Sequence, residues 1–266
     1  MIHVFVNGFN GRMGTEVVKA VLAQPDMELV GGYDPGAGTS GVLVGGQQVA
    51  VSYPTLQVAL EVAKPDVLVD FTNPASVADN IRCALAAGVD CVIGTTGLTP
   101  DKLAELYQGA PAGSTLFVAP NFTIGAVLMM EFARKAAALF DDVEVLEFHH
   151  NGKQDAPSGT ALNTALSIAS ARAQAKVSSK APGSETELAG RAGARGTSVE
   201  GVPVHSIRSN GFVAHQEVIF GSSGETLTIR HDSIDRSSYM PGVLLAIRSV
   251  GERSGLIIGL EKLLDL

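Results

Sequence analysis

The most constraining feature of this chain is a glycine-rich turn between a strand-like and a helix-like segment near its beginning. The run IHVFVNG is rich in β-branched and aromatic residues, and GTEVVKAVLAQ has the apolar spacing of a helix. Gly8 ends the first run, Gly14 begins the second and Gly11 lies between them, in a GxxGxxG pattern. Glycines there permit a tight turn and let the backbone approach a pyrophosphate at the helix start. The pattern predicts dinucleotide binding, with a plain strand–turn–helix as the simpler alternative.

Strand-like and helix-like segments continue to alternate over roughly the first 120 residues. The segments MELVGGYD, DVLVDFT, DCVIGTTG and STLFVAPN resemble strands, whereas PASVADNIRCALAAG and TPDKLAELYQGA resemble helices. Such alternation is typical of βαβ units, in which parallel strands are joined by helices. We therefore predict an α/β fold with a Rossmann-type doubly wound parallel sheet, completed by C-terminal helices in 236–266.

The pattern changes from about residue 122, which predicts a second, smaller domain over 122–235 and limits the first to 1–121 with 236–266. Two helix-like segments, IGAVLMMEFARKAAALF and GTALNTALSIASARAQA, flank the strand-like DVEVLEFHH. Three further strand-like segments follow with short links, VPVHSIRSN, VAHQEVIFGSS and ETLTIRHDS. Consecutive strands of this kind predict an α+β domain with a mixed or antiparallel sheet. Residues 178–203 are rich in Gly, Ser and Ala, which predicts a long mobile loop.

The composition excludes several classes of protein. The 266 residues carry a formal net charge of −8 without a cluster of Lys and Arg, which argues against binding to nucleic acid. The start of the sequence lacks a secretory signal pattern, and its apolar segments carry charges, so no membrane association is expected. The two cysteines, Cys83 and Cys91, are interpreted as small core residues rather than redox partners. A cytoplasmic protein is predicted.

An acidic residue ends the second predicted strand at the distance expected of a ribose ligand. Asp34 lies 20 residues after Gly14, where a carboxylate accepts hydrogen bonds from the adenosine ribose hydroxyls. It could instead be an ordinary turn residue before Pro35. A carboxylate at this point repels a 2′-phosphate and favours NADH, although Arg12 in the glycine turn could offset that repulsion and permit NADPH.

The turns GTTG (94–97) and APNF (119–122) follow other predicted strands, where they would contact the nicotinamide half.

The segment EFHHNGKQDAPSGTAL (147–162) brings together groups that transfer protons and bind anions. Pro157 suits the first turn of a helix that starts near Ser158, Gly159 and Thr160, with free amides and two outward hydroxyls for a carboxylate. His149 lies four residues before Lys153, and imidazole and ammonium groups both deliver protons. With a nicotinamide cofactor, this combination suits reduction of an anionic C=N or C=C compound.

Two other readings of this segment are disfavoured. His149 and His150 should point to opposite faces of a strand, and no carboxylate or thiol set lies nearby at ligand spacing, so no metal is expected. Ser158 could suggest a hydrolase. However, no G-x-S-x-G turn surrounds it, and hydrolysis would leave the nucleotide domain unexplained.

The chain resembles the dihydrodipicolinate reductase family over nearly its whole length. The motifs GFNGRMG, DFTNP, VIGTTG, APNFTIG and HHNGKQDAPSGTA occur in the family's order and spacing. The resemblance implies an NAD(P)H-binding Rossmann domain, a second domain that binds a small dicarboxylate, a homotetramer, and a role in lysine and diaminopimelate biosynthesis. It further implies hydride addition at C4 of a cyclic imine dicarboxylate, after loss of water, and protonation at C3.

The resemblance also implies roles for individual residues. His149 would be the catalytic acid/base residue and Lys153 the proton donor, with the choice of the group that delivers the proton left open. The residues that would bind the substrate are His150, Ser158, Gly159 and Thr160. The residues that would bind the nucleotide are Gly8, Phe9, Asn10, Gly11, Arg12, Met13, Gly14, Asp34, Gly94, Thr95, Thr96, Ala119, Pro120, Asn121 and Phe122.

The sequence departs from the family pattern at two places. Many members have Gly-Glu-His where this chain has AHQ at 214–216, which leaves the contacts there open. Some have an arginine after the acidic residue of the second strand, where Pro35 stands, and this favours NADH further. The alternatives are a different two-domain Rossmann dehydrogenase, which would not need HHNGKQDAPSGTA, and a non-catalytic nucleotide sensor, which would tolerate changes at Lys153.

Overall fold

The computed structural model describes residues 1–38, 41–177 and 195–264. The chain divides into two compact units, 1–124 with 236–266, and 125–235. The predicted loop 178–203 falls partly on 178–194, which lie outside the described residues. Its described part was predicted wrongly, because Thr197–Val199 form a strand that pairs antiparallel with the next one. Within the described ranges, none of the helices combines the length and apolar character that a bilayer-spanning segment requires.

The first unit is built on a six-stranded parallel sheet, which confirms the predicted α/β class. Its strands and those of a small hairpin are β1 (Ile2–Asn7), β2 (Met27–Tyr33), β3 (Val42–Val44), β4 (Gln47–Ala50), β5 (Val67–Asp70), β6 (Asp90–Ile93), β7 (Thr115–Val118) and, at the C-terminal end, β13 (Gly255–Ile258). The order across the sheet is β13-β7-β6-β5-β1-β2, and β3 pairs with β4 separately.

Helices cover both faces of this sheet. The first helices are α1 (Arg12–Leu22), α2 (Leu56–Ala63), α3 (Val77–Ala86) and α4 (Pro100–Tyr107), and α7 (Met240–Val250) follows near the C-terminus. The helices α1 and α7 pack together against one face, whereas α2, α3 and α4 pack against the other. Cys91 lies in the core on the latter side and Cys83 packs at its edge, both with free thiols. The β1 and β5 strands are buried along nearly all their length, as expected for a sheet covered on both sides.

The C-terminal segment contains a strand that the sequence did not predict. The sequence predicts a helical segment over 239–266. In the part of it that the structure describes, up to residue 264, the helical elements are α7 and short 3₁₀ turns at Arg236–Tyr239 and Leu260–Leu263. The run GLII at 255–258 forms β13 instead and pairs parallel with β7 at the edge of the sheet. Four apolar residues fit a strand or a helix equally well, and a free sheet edge decides the outcome.

The second unit has a five-stranded mixed sheet, which confirms the predicted α+β class. Its elements are α5 (Ile124–Ala136), β8 (Asp142–His149), α6 (Gly159–Gln174), β9 (Thr197–Val199), β10 (Val202–Arg208), β11 (Ala214–Ser222) and β12 (Glu225–Ser233). The order is β12-β11-β8-β10-β9, with β8 and β10 parallel and the other pairs antiparallel. Small residues of α5 and α6 pack on the apolar face formed by Val145, Val204, Val218 and Phe220.

Candidate active site

The turn after β1 has a conformation that only glycine accepts. Gly8 has φ +81°, and a Cβ atom there would lie 2.7 Å from the carbonyl oxygen of Phe71. A Cβ atom at Gly14 would lie 2.0 Å from the carbonyl oxygen of Gly8. Both distances are far below van der Waals contact, so the first turn of α1 sits directly on the loop that precedes it. Dinucleotide-binding turns use glycine for this reason, because it lets the helix and the preceding loop pack closely.

The start of α1 offers free backbone donors. Gly11 caps the helix without a side chain, and its carbonyl accepts the N–H of Thr15 at 2.9 Å. The preceding amides, those of Arg12, Met13 and Gly14, make no hydrogen bond to another described residue. Unpaired amides at the positive end of a helix bind anions such as a pyrophosphate. The residues present therefore fit a dinucleotide.

Asp34 is fixed beside this turn. Its Oδ2 accepts the backbone N–H of Asn10 at 3.2 Å, and its Oδ1 accepts that of Gly36 at 2.9 Å. The carboxylate thus joins the end of β2 to the glycine turn, and the side chain is half-buried. A carboxylate held next to the turn is placed to accept hydrogen bonds from ribose hydroxyls and repels a phosphate.

The turns 94–97 and 119–122 follow β6 and β7, but several of their side chains point inward. The Thr95 hydroxyl is buried and donates to Asp70 Oδ1 at 2.6 Å. The Phe122 ring is buried against Phe71, with 5.7 Å between ring centroids, and Ala119 and Phe9 are buried as well. These residues have only backbone atoms to offer a nucleotide, whereas Thr96 and Pro120 are exposed.

Behind these turns lies a buried carboxylate that is not among the residues predicted from the sequence. Asp70, at the end of β5, is fully buried and accepts hydrogen bonds from three side chains besides Thr95: Asn7 Nδ2 at 2.7 Å, Asn80 Nδ2 at 2.8 Å and Thr72 Oγ1 at 2.8 Å. It thereby ties together the ends of β1, β5 and β6. The DFTNP motif contained the signal, because an acid ends a strand there with no positive partner nearby in sequence.

In the second unit, β8 brings Glu147 and His149 to one face. Residues two apart in a strand share a face, and His149 Nδ1 contacts the Glu147 carboxylate. Glu147 is fully buried, whereas the His149 side chain is 13% exposed. The imidazole therefore has one nitrogen turned inward to a carboxylate and its Nε2 turned away from it. His150, the next residue, is exposed just beyond the strand end.

The Glu147 carboxylate stays ionised despite its burial. Burial alone would raise its pKa, but hydrogen bonds from His149, Arg208 and Ser206 together outweigh this effect and lower the pKa from 4.5 to about 2. Arg208 makes the two-pronged contact, with Nη1 at 2.9 Å from Oε2 and Nη2 at 2.7 Å from Oε1. A buried anion paired with one arginine and one histidine is the electrostatic centre of this site.

Arg208 also reaches the loop that carries Lys153. Its Nη2 donates to the carbonyl oxygen of Asp155 at 2.7 Å. The Asp155 carboxylate accepts Lys153 Nζ at 2.8 Å, and this hydrogen bond lowers the pKa of Asp155. The backbone N–H of Lys153 donates to the carbonyl of His150 at 3.1 Å. The predicted catalytic pair His149 and Lys153 therefore belongs to one network with three residues that the sequence did not single out, Glu147, Arg208 and Asp155.

The start of α6 has the free amides that an anion site needs, but its cap differs from the one expected. Pro157 precedes the helix instead of lying in its first turn, and Ser158 is the cap. The Ser158 hydroxyl is buried and accepts the N–H of Ala161 at 3.2 Å, so the expectation that it points outward is wrong. The N–H groups of Gly159 and Thr160 make no hydrogen bond within the described parts of the chain. They are the free donors for a carboxylate.

The AHQ segment lies directly beside the candidate site. Ala214 pairs with His149 across the β8–β11 ladder, and Gln216 pairs with Glu147. Gln216 Nε2 donates to the hydroxyl of Thr164 on α6 at 2.8 Å, so it links the sheet to the helix that starts at the anion site. Among the described residues, no group of three or more His, Cys, Asp or Glu is arranged to hold a metal ion.

These features define a class of protein. A glycine turn with free helix amides in a parallel sheet is suited to a dinucleotide, and the segment that carries His149, Lys153 and the free amides of α6 has the groups needed to bind and protonate an acidic compound. The combination is typical of a nicotinamide-dependent reductase.

The comparisons with known proteins narrow the class to a family. Residues 2–122 match the family described as dihydrodipicolinate reductase, N-terminus, and residues 125–264 match its C-terminus. The chain belongs to the dihydrodipicolinate reductase family. It is 46% identical to the 4-hydroxy-tetrahydrodipicolinate reductase of Mycolicibacterium vanbaalenii over the whole of both chains. It is 47% identical to that of Desulfitobacterium hafniense over 99% of each.

A solved structure of a protein of this family agrees with this assignment. A dipicolinate-bound dihydrodipicolinate reductase from Paenisporosarcina sp. TG-14 has a TM-score of 0.85 and 40% identity, covering 98% of this chain and 99% of that one. An amine dehydrogenase from Mycobacterium smegmatis has a TM-score of 0.66 at 15% identity, covering 98% of this chain and 95% of that one. The second likeness concerns the fold alone.

Proposed function

We propose that this chain reduces 4-hydroxy-tetrahydrodipicolinate to tetrahydrodipicolinate with NAD(P)H, in lysine and diaminopimelate biosynthesis. The observation that carries the proposal is the turn 147–160, where His149, Lys153 and two free amides of α6 lie within fourteen positions of one another. The full-length likeness to reductases of this name supports the same substrate.

The glycine turn and the start of α1 would hold the cofactor. The free amides of Arg12, Met13 and Gly14 suit its pyrophosphate, and Asp34 suits the adenosine ribose. A reduced nicotinamide held there would supply the hydride for C4 of the ring, once the C4 hydroxyl had left as water. The turns 94–97 and 119–122 would contribute mainly backbone contacts to the nicotinamide half.

The start of α6 would hold one substrate carboxylate. The amides of Gly159 and Thr160 point out of the first turn, and the helix dipole favours an anion there. Exposed His150 would add a further contact. A Cβ atom at Gly159 would meet nothing within 4 Å, so Gly159→Ala should fold normally and yet place a methyl group where the carboxylate approaches.

Calorimetric titration with dipicolinate tests this binding site. We expect Gly159→Ala to raise the dissociation constant about tenfold or more, equivalent to about 1.4 kcal/mol. Gly221→Ala is the matched control, because a Cβ atom there also meets nothing within 4 Å and the residue lies on β11. Unchanged dipicolinate affinity in Gly159→Ala would exclude α6 as the carboxylate site.

His149 and Lys153 would handle the proton. Hydride addition leaves negative charge as an enamine, and a proton must be delivered at C3. Lys153 as an ammonium ion, held by Asp155, would be the donor, and His149, with Nε2 turned away from Glu147, would be the acid/base residue.

The activity itself is tested by a coupled assay. Pyruvate, aspartate semialdehyde and the synthase that condenses them generate the substrate, and loss of nicotinamide absorbance is followed with NADH and with NADPH. We expect cofactor oxidation only in the complete mixture. No oxidation with either cofactor would contradict the proposed reaction.

We propose that NADH is preferred over NADPH. The Asp34 carboxylate is fixed next to the glycine turn and is followed by Pro35, so a 2′-phosphate would meet a negative charge, with Arg12 as the nearby cation that permits NADPH. Asp34→Ala should lower the ratio of kcat/KM for NADH to that for NADPH by about tenfold or more. An unchanged ratio would show that Asp34 does not set the preference.

We also propose a cytoplasmic homotetramer assembled through the second unit. On the face of its sheet opposite α5 and α6, Leu146, Phe148 and Ile219 are half-buried and Ile207 is exposed, so apolar surface is left for another copy. Free Cys83 and Cys91 suit a reducing compartment. Sedimentation velocity should give four copies of the 27.5 kDa chain, and a monomer would contradict the assembly.

A further inference from the structure

A buried ion pair lies directly beneath the proposed acid/base histidine. Glu147 contacts His149 Nδ1 and both terminal nitrogens of Arg208, and it is fully buried. The register explains the meeting: β8 and β10 run parallel with Arg208 opposite His149, so all three side chains lie on the face covered by α6. Glu147 therefore holds the His149 imidazole through its Nδ1 atom.

Arg208 also connects β8 to the loop that carries Lys153. Besides the carboxylate of Glu147, Arg208 Nη2 holds the carbonyl of Asp155 at 2.7 Å, and Asp155 holds Lys153 Nζ at 2.8 Å. One rigid guanidinium thus spans the two backbone segments that carry His149 and Lys153. A lysine in its place would offer a single point charge without the planar fork.

We propose that Glu147 and Arg208 are positioning residues for the reduction, Glu147 by fixing the tautomer and orientation of His149 and Arg208 by anchoring the Lys153 loop to β8. An anionic acceptor at Nδ1 keeps the proton of neutral imidazole on that nitrogen, so Nε2 faces the reaction with its lone pair. The proposal rests on the catalytic roles proposed above for His149 and Lys153.

A merely structural ion pair is the competing explanation, and the chain provides a matched control for it. Glu144 lies on the same strand but on the opposite face, where it contacts His205 Nε2 at 2.6 Å and Arg195 at 3.1 Å. This second Glu–His–Arg group lies outside the proposed site. Both Glu147→Gln and Glu144→Gln disrupt a Glu–His–Arg group, but only Glu147→Gln should also misplace His149. Comparing the two variants therefore separates these effects.

The first readout is the division of the effect between kcat and KM. Glu147→Gln keeps the size of the side chain but removes its charge and one acceptor oxygen. We expect kcat to fall about 100-fold, the size of effect that a small misplacement of a reacting group produces, with KM for substrate and affinity for NADH nearly unchanged. Glu144→Gln should keep the wild-type kcat. A Glu147→Gln kcat equal to that of the control would overturn the proposal.

The second readout is the imidazole itself. In ¹⁵N NMR of histidine-labelled protein, with the signal assigned through His149→Gln, neutral His149 should be the Nδ1–H tautomer in the wild type and lose that preference in Glu147→Gln. An unchanged tautomer would overturn the positioning role of Glu147. Full activity of His149→Gln would instead refute the role proposed for His149, so the two failures are distinguishable.

Arg208→Lys provides a variant in which the buried carboxylate keeps a positive neighbour, should Glu147→Gln fail to fold. We expect faster amide exchange of residues 150–158 and a lower kcat, with the dipicolinate affinity reduced less than kcat. Unchanged exchange together with unchanged kcat would overturn the anchoring role of Arg208.

Discussion

Removal of the Asp70 carboxylate should strongly destabilise the first unit. Asp70 is fully buried and accepts hydrogen bonds from four side chains at 2.6 to 2.8 Å. In Asp70→Ala, Asn7 Nδ2 loses its acceptor, and the Thr95 hydroxyl, as a donor, is left with a 3.5 Å contact to the backbone carbonyl of residue 70. That hydroxyl still accepts the backbone N–H of Thr72 at 2.7 Å. Asn80 keeps a weak 3.3 Å contact with Thr72 Oγ1.

The expected loss in the free energy of unfolding follows from the two buried donors left without a good acceptor, Asn7 Nδ2 and the Thr95 hydroxyl. Each buried donor without a partner costs about 1–3 kcal/mol, so two of them amount to about 2–6 kcal/mol. That is a large share of the stability of an ordinary domain, about 5–15 kcal/mol. The loss should also loosen the turns after β1, β5 and β6, which Asp70 joins, and so weaken NADH binding.

Hydrogen exchange read by mass spectrometry is the appropriate assay, because a chain of two compact units need not unfold in one step. Peptides from β1 and β5 should lose protection in Asp70→Ala, whereas peptides from β8 and β11 should not. Asp79→Ala is the control, since that side chain is 81% exposed and forms an ion pair with Arg82 on the same helix. The loss of such an exposed pair near a helix start costs at most about 1 kcal/mol. Equal protection in Asp70→Ala and Asp79→Ala would refute the reasoning.

Two further predictions concern the glycine turn and the buried glutamate. Gly14→Ala places a Cβ atom 2.0 Å from the Gly8 carbonyl oxygen, so the turn must open. NADH affinity, measured by fluorescence titration, should therefore fall about 100-fold. Wild-type affinity would contradict the proposed nucleotide site. Because the pKa of Glu147 is lowered from 4.5 to about 2, its stabilising contribution is complete above pH 4.5 and disappears as the pH falls through 2. Urea unfolding of the second unit should therefore depend less on pH over that window in Glu147→Gln than in the wild type, and equal dependence would contradict the pairing.

The fold of the first unit was predictable because its signals are local. Strand-like and helix-like segments alternate, and Gly8 and Gly14 mark the turn between the first two. The hairpin β3–β4 and helix α2 fall in 35–65, a stretch for which no strand or helix is predicted from the sequence. The strand β13 was predicted as helix because its state depends on pairing with β7, about 140 positions earlier in the sequence.

The candidate site likewise combines residues of one local motif, which the sequence predicts, with contacts between distant segments, which it does not. His149, Lys153 and Gly159 occur within one short motif, so their chemistry could be inferred together. Arg208 lies 61 positions from Glu147, and only the parallel pairing of β8 with β10 brings them into contact. No local pattern announces such a partner. The inward-facing hydroxyl of Ser158 likewise depends on where α6 begins, a boundary that sequence patterns locate to within a few residues.

The proposed delivery of a proton by the segment 147–160, which completes the reduction, is tested most directly by Lys153→Met. The variant keeps the length of the side chain and removes the ammonium group, and Lys135→Met on α5 is the control. In the complete coupled mixture we expect kcat for cofactor oxidation to fall about 100-fold or more in Lys153→Met and to be unchanged in Lys135→Met. Turnover of Lys153→Met equal to that of Lys135→Met would contradict the account.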